Sequence, residues 1–453
     1  MNNSPLCSQI TLHVPPLMWE QFRHALQEAQ AKNQEVIGFL FCKHHQISDQ
    51  AVRYWPQAWV VPTVDCYESQ SVNGLVLDQQ FHLYLLETYL EEGLDMVHIH
   101  THPGQEFPIF STIDDCYESQ YAKFLANRFN HQLHLISGIF DETFQKFQFR
   151  LWNQTGTAFQ PVNFHPSWFA LAASESSTVQ ETDPIFARQQ IFGTTLQNQL
   201  SDLSVTLIGC GGIGAAFAEL LGRLGVRRWT FIDPDHLEAS NLNRMPGATW
   251  NMAEQHLPKV EYVKQLIENI YPTDSEITTI PTAIENIEAS ADCAASDLIV
   301  VATDNHHSRQ VAQELALASI RPLIALGTHI EIKPDGLPRM FCRVTVPPLG
   351  GDWCLMCGNI INLQQAALES ASPEIGNLAT QAGYLKSVPD PAVFWLNSIC
   401  ASTGVGILQG MLSGFLSINA GLDWIYEFPE SKWHKTDPDA LTTSSCYFCG
   451  LGD

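Results

Sequence analysis

Two Cys-x-x-Cys pairs, Cys354/Cys357 and Cys446/Cys449, constrain the fold of this chain more than any other feature. Each pair makes a chelating knuckle, and four thiolates close a tetrahedral site with no open position, so the spacing predicts a structural zinc. Two segments distant in sequence must then meet. That staples the C-terminus onto its domain and confines residues 358–445 to an excursion of loops and helices. Free buried cysteines are the alternative reading of these four positions. Twelve cysteines in 453 residues are too few for a disulfide scaffold, and the knuckle spacing favours a reducing compartment, so a cytoplasmic location is expected.

At 453 residues, two or three domains are expected, and 45% hydrophobic content is enough to build sizeable cores. The formal net charge of -25 argues against non-specific nucleic-acid binding, which needs Lys and Arg to neutralise phosphates. Residues Met1 to Pro16 have no basic flank followed by an apolar core, so no signal peptide is expected there. The apolar stretch Ala401 to Ala420 raises the question of a membrane span. It is interrupted by Gly404, Gly406, Gln409, Gly410, Ser413 and Asn419, and reads as a buried helix.

Apolar spacing predicts a helix over Leu17 to Gln30, a buried strand over Glu35 to Cys42, a helix over Phe81 to Glu91 and paired strands over Gln132 to Phe140 and Phe144 to Trp152. These form one α/β domain over residues 1–160. Ala172 to Pro184 is polar, rich in Ser and Thr and without apolar period, which marks a linker within 161–184. A second, larger α/β domain spans 185–453.

That second domain carries its own chemistry. The short strand Ser204 to Ile208 runs into Gly209-Cys210-Gly211-Gly212-Ile213-Gly214 and an Ala/Leu-rich helix to Leu224. Strand, glycine turn and helix form a nucleotide-binding unit: the glycines let backbone approach phosphates, and the helix N-terminus favours their charge. The next strand, Trp229 to Ile232, ends at Asp233, an acid suited to ribose hydroxyls. On the glycine turn alone, an NAD or FAD dehydrogenase is the default. The following order is more specific: Asp235, Ser240-Asn241-Leu242-Asn243-Arg244, Lys259 in Leu-Pro-Lys-Val, Ala302-Thr303-Asp304-Asn305, then the two Cys pairs, with Phe186-Ala187-Arg188-Gln189 upstream.

This order resembles the ubiquitin-activating superfamily, which includes the adenylyltransferases of molybdopterin and thiamin synthesis. The resemblance implies a Rossmann-like adenylation domain in which Gly209, Gly211, Gly212, Gly214 and Asp233 hold ATP. It implies that Asn241, Arg244 and Lys259 contact its phosphates, that Asp304 coordinates Mg²⁺, and that Arg188 reaches into the neighbouring subunit of a homodimer. The residue types suit the chemistry. A carboxylate attacking the α-phosphate is negative meeting negative, and Arg, Lys and Mg²⁺ screen that charge. As a bland alternative, Asp304 is a helix N-cap before His306 to Leu315. Superfamily members that form a thioester usually carry a cysteine after the first Cys pair. Residues 358 to 399 contain none, so Cys400 is the candidate, with Cys342 outside that segment. Cys400 opens an apolar stretch, where a thiol is core rather than nucleophile. Direct release of the adenylate, or a hydroxyl within Ser370 to Thr380, is therefore expected.

In the first domain, Leu94 to Ile99 reads as a strand leading into His100-Thr101-His102-Pro103, with Ser111 and Asp114 opening a helix after it. Side chains two apart on a strand share a face, so His100 and His102 can bind one metal, and Asp114 returns as a third ligand. Three protein ligands and one open position describe a catalytic zinc. Glu35 is the candidate base and Ser111 the candidate oxyanion donor. A strand-borne Glu, His-x-His-Pro, a seven-residue gap and Ser-x-x-Asp resemble the JAMM/MPN metalloproteases, zinc isopeptidases that remove ubiquitin-like proteins, over roughly the first third of the chain. That implies a cytidine-deaminase-like α/β fold. The bland alternative is core histidines beside a Ser helix cap.

Together the resemblances imply a fusion. One domain adenylates the C-terminus of a ubiquitin-like protein. The other processes or removes that protein, in a prokaryotic-type conjugation pathway that includes a conjugating enzyme. Activation of a sulfur carrier for cofactor synthesis is the alternative, and a non-catalytic scaffold that binds the ubiquitin-like protein is an alternative of another class. The cofactors implied are ATP, Mg²⁺ and two zinc ions, one catalytic and one structural. Neither nucleic acid nor membrane is expected as a partner.

Overall fold

The computed structural model describes residues 9–30, 34–48, 51–71, 74–105, 107–169, 184–285, 293, 295–332, 336–350, 353–382, 391–416, 418–442 and 446–449. Contacts divide the chain into two units, Met1–Ala170 and Leu171–Asp453. The expected linker Ala172 to Pro184 lies outside the described residues except for Pro184.

The first unit runs β1 (Gln9–Val14), α1 (Pro16–Ala29), β2 (Ile37–Ser48), β3 (Ala51–Val60), β4 (Tyr67–Gln70), β5 (Leu75–Leu77), α2 (Gln79–Leu85), β6 (Asp95–Thr101), α3 (Thr112–Arg128), β7 (Leu135–Phe140), β8 (Phe147–Trp152), β9 (Phe159–Pro161) and β10 (Asn163–Pro166). Eight of these strands form one mixed sheet in the order β10-β1-β3-β2-β6-β7-β8-β9. Two-residue periodicity divides the apolar side chains between its faces. Leu40, Val97 and Ile99 join Phe22 and Leu26 of α1 on one face. Phe39, Phe41 and Met96 join Ala122 and Leu125 of α3 on the other. On β6, His98 and His100 share the Met96 face and therefore look toward α3. The sheet continues past residue 160, because β10 pairs in parallel with β1. Strand β2 begins at Ile37 rather than at Glu35, whose amide bonds to the Ser71 carbonyl (2.9 Å) instead of entering a ladder.

The second unit runs α4 (Gly193–Asp202), β11 (Ser204–Ile208), α5 (Gly212–Leu224), β12 (Arg228–Ile232), α6 (Trp250–Glu254), α7 (Lys259–Glu268), β13 (Glu276–Ile280), β14 (Leu298–Val301), α8 (His306–Ser319), β15 (Leu323–Ile332), β16 (Pro338–Val346), α9 (Leu363–Glu369), α10 (Pro373–Gln381), α11 (Phe394–Ser413), β17 (Leu422–Phe428) and β18 (Lys432–Lys435). Its eight-stranded sheet has the order β13-β12-β11-β14-β15-β16-β17-β18. The first five strands are parallel and Rossmann-like, and the last three extend the sheet antiparallel, so that residues 358–445, expected as loops and helices, also supply the strands β17 and β18. Strand order reverses between β11 and β14, which opens a crevice at their C-terminal ends, the usual ligand position in such sheets. The apolar helix α11 packs against α5, β15 and β16. Among the described residues no helix is long and apolar enough to cross a membrane.

Candidate functional site

Alternation along β6 and a helix cap assemble the first site. His100 Nε2 lies 3.1 Å from His102 Nε2. Asp114 contributes Oδ1 at 3.4 Å from His100 Nε2 and Oδ2 at 3.6 Å from His102 Nε2. Tetrahedral zinc with bonds of about 2.0–2.1 Å spaces its ligand atoms about 3.3 Å apart, so this donor set fits the ion. Glu35 stands at the edge, its Oε1 3.9 Å from His102 Nε2. Burial foremost pushes the Glu35 carboxyl up to about 7; His100 opposes that rise and Asp114 adds to it. Burial would also raise Asp114, but hydrogen bonding and charge from His100 and bonding from Ser111 outweigh it and hold Asp114 well below the usual carboxylate range. Burial, with the charge of His100, keeps His102 below its ordinary value.

Ser111 caps α3 in a capping box. Its Oγ accepts the Asp114 amide (3.2 Å), and Asp114 Oδ2 accepts the Ser111 amide (2.6 Å). The same cap brings the Asp114 carboxylate to the histidines. Behind it lies a buried network that the motif does not name. Glu118 Oε2 accepts from Arg150 Nε (2.8 Å) and Nη2 (2.6 Å) and from Trp152 Nε1 (2.8 Å). Arg150 also bonds Asp115 (2.6 Å) and covers the Phe110 ring at 3.6 Å, bracing the residue before Ser111. The available sequence signal was Asp114 and Glu118 at i, i+4, which share one helix face.

In the second unit the backbone is shaped before any side chain acts. Gly209 has φ +93°, and a Cβ there would meet the Ala302 carbonyl carbon at 2.9 Å. A Cβ on Gly214 would stand 1.9 Å from the Gly209 carbonyl oxygen. Gly211 faces open space: a Cβ there meets nothing within 4 Å, which leaves room for a ligand at the N-terminus of α5. Asp233, at the end of β12, accepts the amides of Cys210 (2.7 Å) and Asp235 (2.8 Å), and burial raises its carboxyl despite Lys259 and those two donors.

Charged groups around this cradle engage their own neighbours. Lys259 Nζ pairs with Asp235 at 2.7 Å. Arg244 Nη1 donates to the Ser240 carbonyl at 2.6 Å, and Asn241 Oδ1 accepts the Glu238 amide at 3.0 Å. Asp304 is exposed just after β14. The helix-cap role goes instead to Asn305, whose Oδ1 accepts the Ser308 amide (2.8 Å). Arg188 is exposed in the turn Pro184–Phe192. Buried Asn397 was not anticipated: it bonds Thr328 (3.2 Å), and its Nδ2 lies 2.5 Å from where a Gly212 Cβ would be.

The four cysteine sulfurs converge. Cys354 lies 3.7 Å from Cys357 and 3.6 Å from Cys446, and Cys357 lies 3.6 Å from Cys449. Zinc–sulfur bonds of about 2.3 Å imply sulfur spacings of about 3.8 Å, so this set also fits a tetrahedral ion. Bonding among the thiols splits them: Cys449 foremost draws Cys354 down to about 6, burial foremost pushes Cys357 up to about 11, and bonding with Cys354 foremost raises Cys449.

Cys400 is fully buried on α11, with its Sγ 3.5 Å from the Gly327 carbonyl and 3.4 Å from that of Arg343. Hydrogen bonding with Cys342, then burial, pushes its thiol well above the ordinary value. That is the environment of a core thiol. Cys342 is equally buried. The Ser370 and Thr380 hydroxyls donate back to the carbonyls of Ala367 (3.1 Å) and Gly376 (2.9 Å).

Residues 186–376 match the ThiF family, so this stretch is a ThiF-family domain. The chain is 28% identical over 187 residues to the sulfur carrier protein ThiS adenylyltransferase of Bacillus subtilis, covering 39% of this chain and 54% of that protein. It is 31% identical over 169 residues to the molybdopterin-synthase adenylyltransferase of Escherichia coli, covering 36% and 65%. It therefore spans less than two thirds of either relative's length. The crystal structure of E. coli MccB with ATP aligns at a TM-score of 0.45 and 17% identity, over 59% of this chain and 75% of that one, a likeness too low to carry an argument.

Proposed function

We propose that the second unit uses ATP to adenylate the C-terminal carboxylate of a ubiquitin-like protein. The observation that carries this reading is the open glycine cradle at the ends of β11 and β14, inside a ThiF-family stretch. The carboxylate oxygen bonds to the α-phosphorus of ATP as the bond to the β-phosphate bridge breaks, and pyrophosphate leaves. Backbone amides from Gly209 to Gly214 cradle the phosphates. Arg244 and Lys259 leave their present partners to neutralise the charge on pyrophosphate, and Asp233 holds the ribose. Asp304 is the residue for Mg²⁺, which would screen the phosphates from the incoming carboxylate. Arg188 serves the neighbouring subunit of a homodimer, and a conjugating enzyme receives the product. The names of the two adenylyltransferase relatives favour a second reading, in which the partner is a sulfur carrier.

For the first unit we propose a JAMM-type zinc isopeptidase acting on the same ubiquitin-like protein, with His100, His102 and Asp114 as the residues that would hold zinc. Zinc would supply an activated water. Glu35 takes that water's proton and passes it to the departing amine, and Ser111 donates a hydrogen bond to the carbonyl oxygen as it gains charge. Free thiols throughout the described residues fit a reducing compartment such as the cytoplasm.

The test of the adenylation reading is exchange of labelled pyrophosphate into ATP, dependent on the ubiquitin-like partner. Asp304→Ala and Arg244→Ala are each expected to abolish it, and exchange that survives both changes refutes the reading. Mixing Arg188→Ala with Asp304→Ala chains is expected to restore part of the exchange if the sites are shared across a dimer.

A further inference from the structure

Three side chains outside both proposed centres gather at the other end of β6. Asp95, its first residue, lies on the face opposite His98 and His100, alongside Val97 and Ile99. Asp95 Oδ2 is 2.5 Å from His44 Nδ1 of β2, and Oδ1 is 3.6 Å from His134 Nδ1, just before β7. The three donor atoms lie within 4.8 Å of one another. Tyr54 of β3 closes the group, its hydroxyl 3.0 Å from His134 Nδ1. Four neighbouring strands, β3, β2, β6 and β7, therefore contribute one side chain each or flank the one that does.

We propose that His44, Asp95 and His134 form a further divalent-cation site, for zinc or a similar borderline ion. The Asp95 carboxylate is 1% exposed and, among the described residues, pairs with no Lys or Arg; its partners are two imidazoles and the His134 amide at 2.8 Å. A buried carboxylate calls for a cation or a full set of donors. The imidazoles form the rim, with side chains 37% and 25% exposed, so an ion has a route in and water has room to complete its shell. Imidazole and carboxylate donors suit zinc, copper or nickel better than calcium or magnesium. Binding replaces the proton between His44 and Asp95 and widens that contact from 2.5 Å toward the ligand spacing of about 3.3 Å. His44 lies on a long strand, its side chain 37% exposed and its ring 5.6 Å from that of Tyr54. The site is distinct from the proposed isopeptidase centre, since Asp95 and His100 lie toward opposite ends of β6 and on opposite faces of it.

The test is a zinc count on the full-length chain carrying His100→Ala and His102→Ala, so that the other histidine centre contributes nothing. Metal and protein are quantified after dialysis against buffered Zn²⁺. Adding Asp95→Asn, which keeps the side chain's shape but not its charge, is expected to lower the count by one zinc per chain. His44→Ala, at a half-exposed position, is expected to do the same, and it carries the test if Asp95→Asn fails to fold. Loading Co²⁺ is expected to add visible bands that both variants lose, distinct from the thiolate charge-transfer bands of the cysteine site. An unchanged zinc count in the folded variants overturns the proposal and leaves Asp95 as a hydrogen-bonding hub.

Discussion

The histidine centre of the first unit and the glycine cradle of the second both stand at the end of a parallel-paired strand, but they differ in what is already in place. Around His100 the donor atoms of three side chains lie 3.1–3.6 Å apart, and Glu35 is 3.9 Å from His102. Around Gly209 the backbone is complete, yet Lys259 is bound to Asp235 at 2.7 Å and Arg244 to the Ser240 carbonyl at 2.6 Å. A single ion can be met by two imidazoles and one carboxylate gathered at one strand end. A polyphosphate needs several cations at once, and these repel one another until the ligand's own charge gathers them. A site for a cation can be finished in advance, whereas a site for a polyanion is held as backbone plus reserves.

Breaking the cysteine site is expected to have the largest effect. Cys446→Ser removes one of four sulfurs that join segments on either side of α11, and structural zinc is worth about 10–16 kcal/mol apparent in small peptides. Thermal unfolding with and without a chelator is expected to show loss of the cooperative transition of the second unit; an unchanged melting curve would falsify the structural role. Next in size is Glu35→Gln: if the first unit is the proposed isopeptidase, cleavage of a ubiquitin-like fusion is expected to fall by about 10²–10⁴-fold with zinc content unchanged, because the proposed base is removed and no proposed ligand is. Normal cleavage in that variant would shift the proton transfer elsewhere. Ser111→Ala is expected to cost about 10²–10³ in rate through the oxyanion. It also costs about 1 kcal/mol through the lost cap of α3, which a melting curve separates from the rate.

The smallest effect sharpens the comparison from the side of the cysteine knuckles. Asp423 accepts Arg343 Nε (2.7 Å) and Nη2 (2.9 Å), Thr345 (2.8 Å) and Thr436 (2.6 Å), while Arg343 reaches the Gly358 carbonyl (2.7 Å) beside Cys357. Burial would raise the Asp423 carboxyl, but these donors outweigh it and hold it below its ordinary value of 3.8. A lowered carboxylate stabilises the fold above its unfolded pKa, and the contribution is lost as pH falls below it. Asp423→Asn is therefore expected to cost on the order of 1.5–3 kcal/mol at pH 7. The gap to the parent is expected to narrow as pH falls below about 4. A gap that stays constant across that range would mean that the charge of Asp423 contributes nothing.

Much of both sites was legible because short-range rules write them. Alternation on a strand puts His100 beside His102, and Ser-x-x-Asp caps the helix that brings Asp114 back to them. The Cys-x-x-Cys pairs announced a four-sulfur cluster, and glycine spacing announced the turn after β11. Cys400 was ambiguous in the sequence. Its fully buried position between the carbonyls of Gly327 and Arg343 came from the packing of α11 on β15 and β16.

The residues missed are the ones whose role lies across the sheet. Glu118 and Arg150 are 32 residues apart, and they meet because α3 lies over the face that β8 shares. Asn397 meets Gly212 because α11 packs on α5. His44, Asp95 and His134 carry no local motif, and strand register alone unites them: β2 and β6 pair Cys42 with Asp95, and β6 and β7 pair Met96 with Leu135. The sequence by itself determined features that depend on near neighbours, such as the period of a strand, the glycines of a turn and the spacing of a knuckle, although the cap expected of Asp304 fell to Asn305 and the strand expected from Glu35 began at Ile37. Tertiary structure alone decided which charges are buried together and which are left at the surface, because burial depends on what packs from elsewhere in the chain, and no local pattern encodes that.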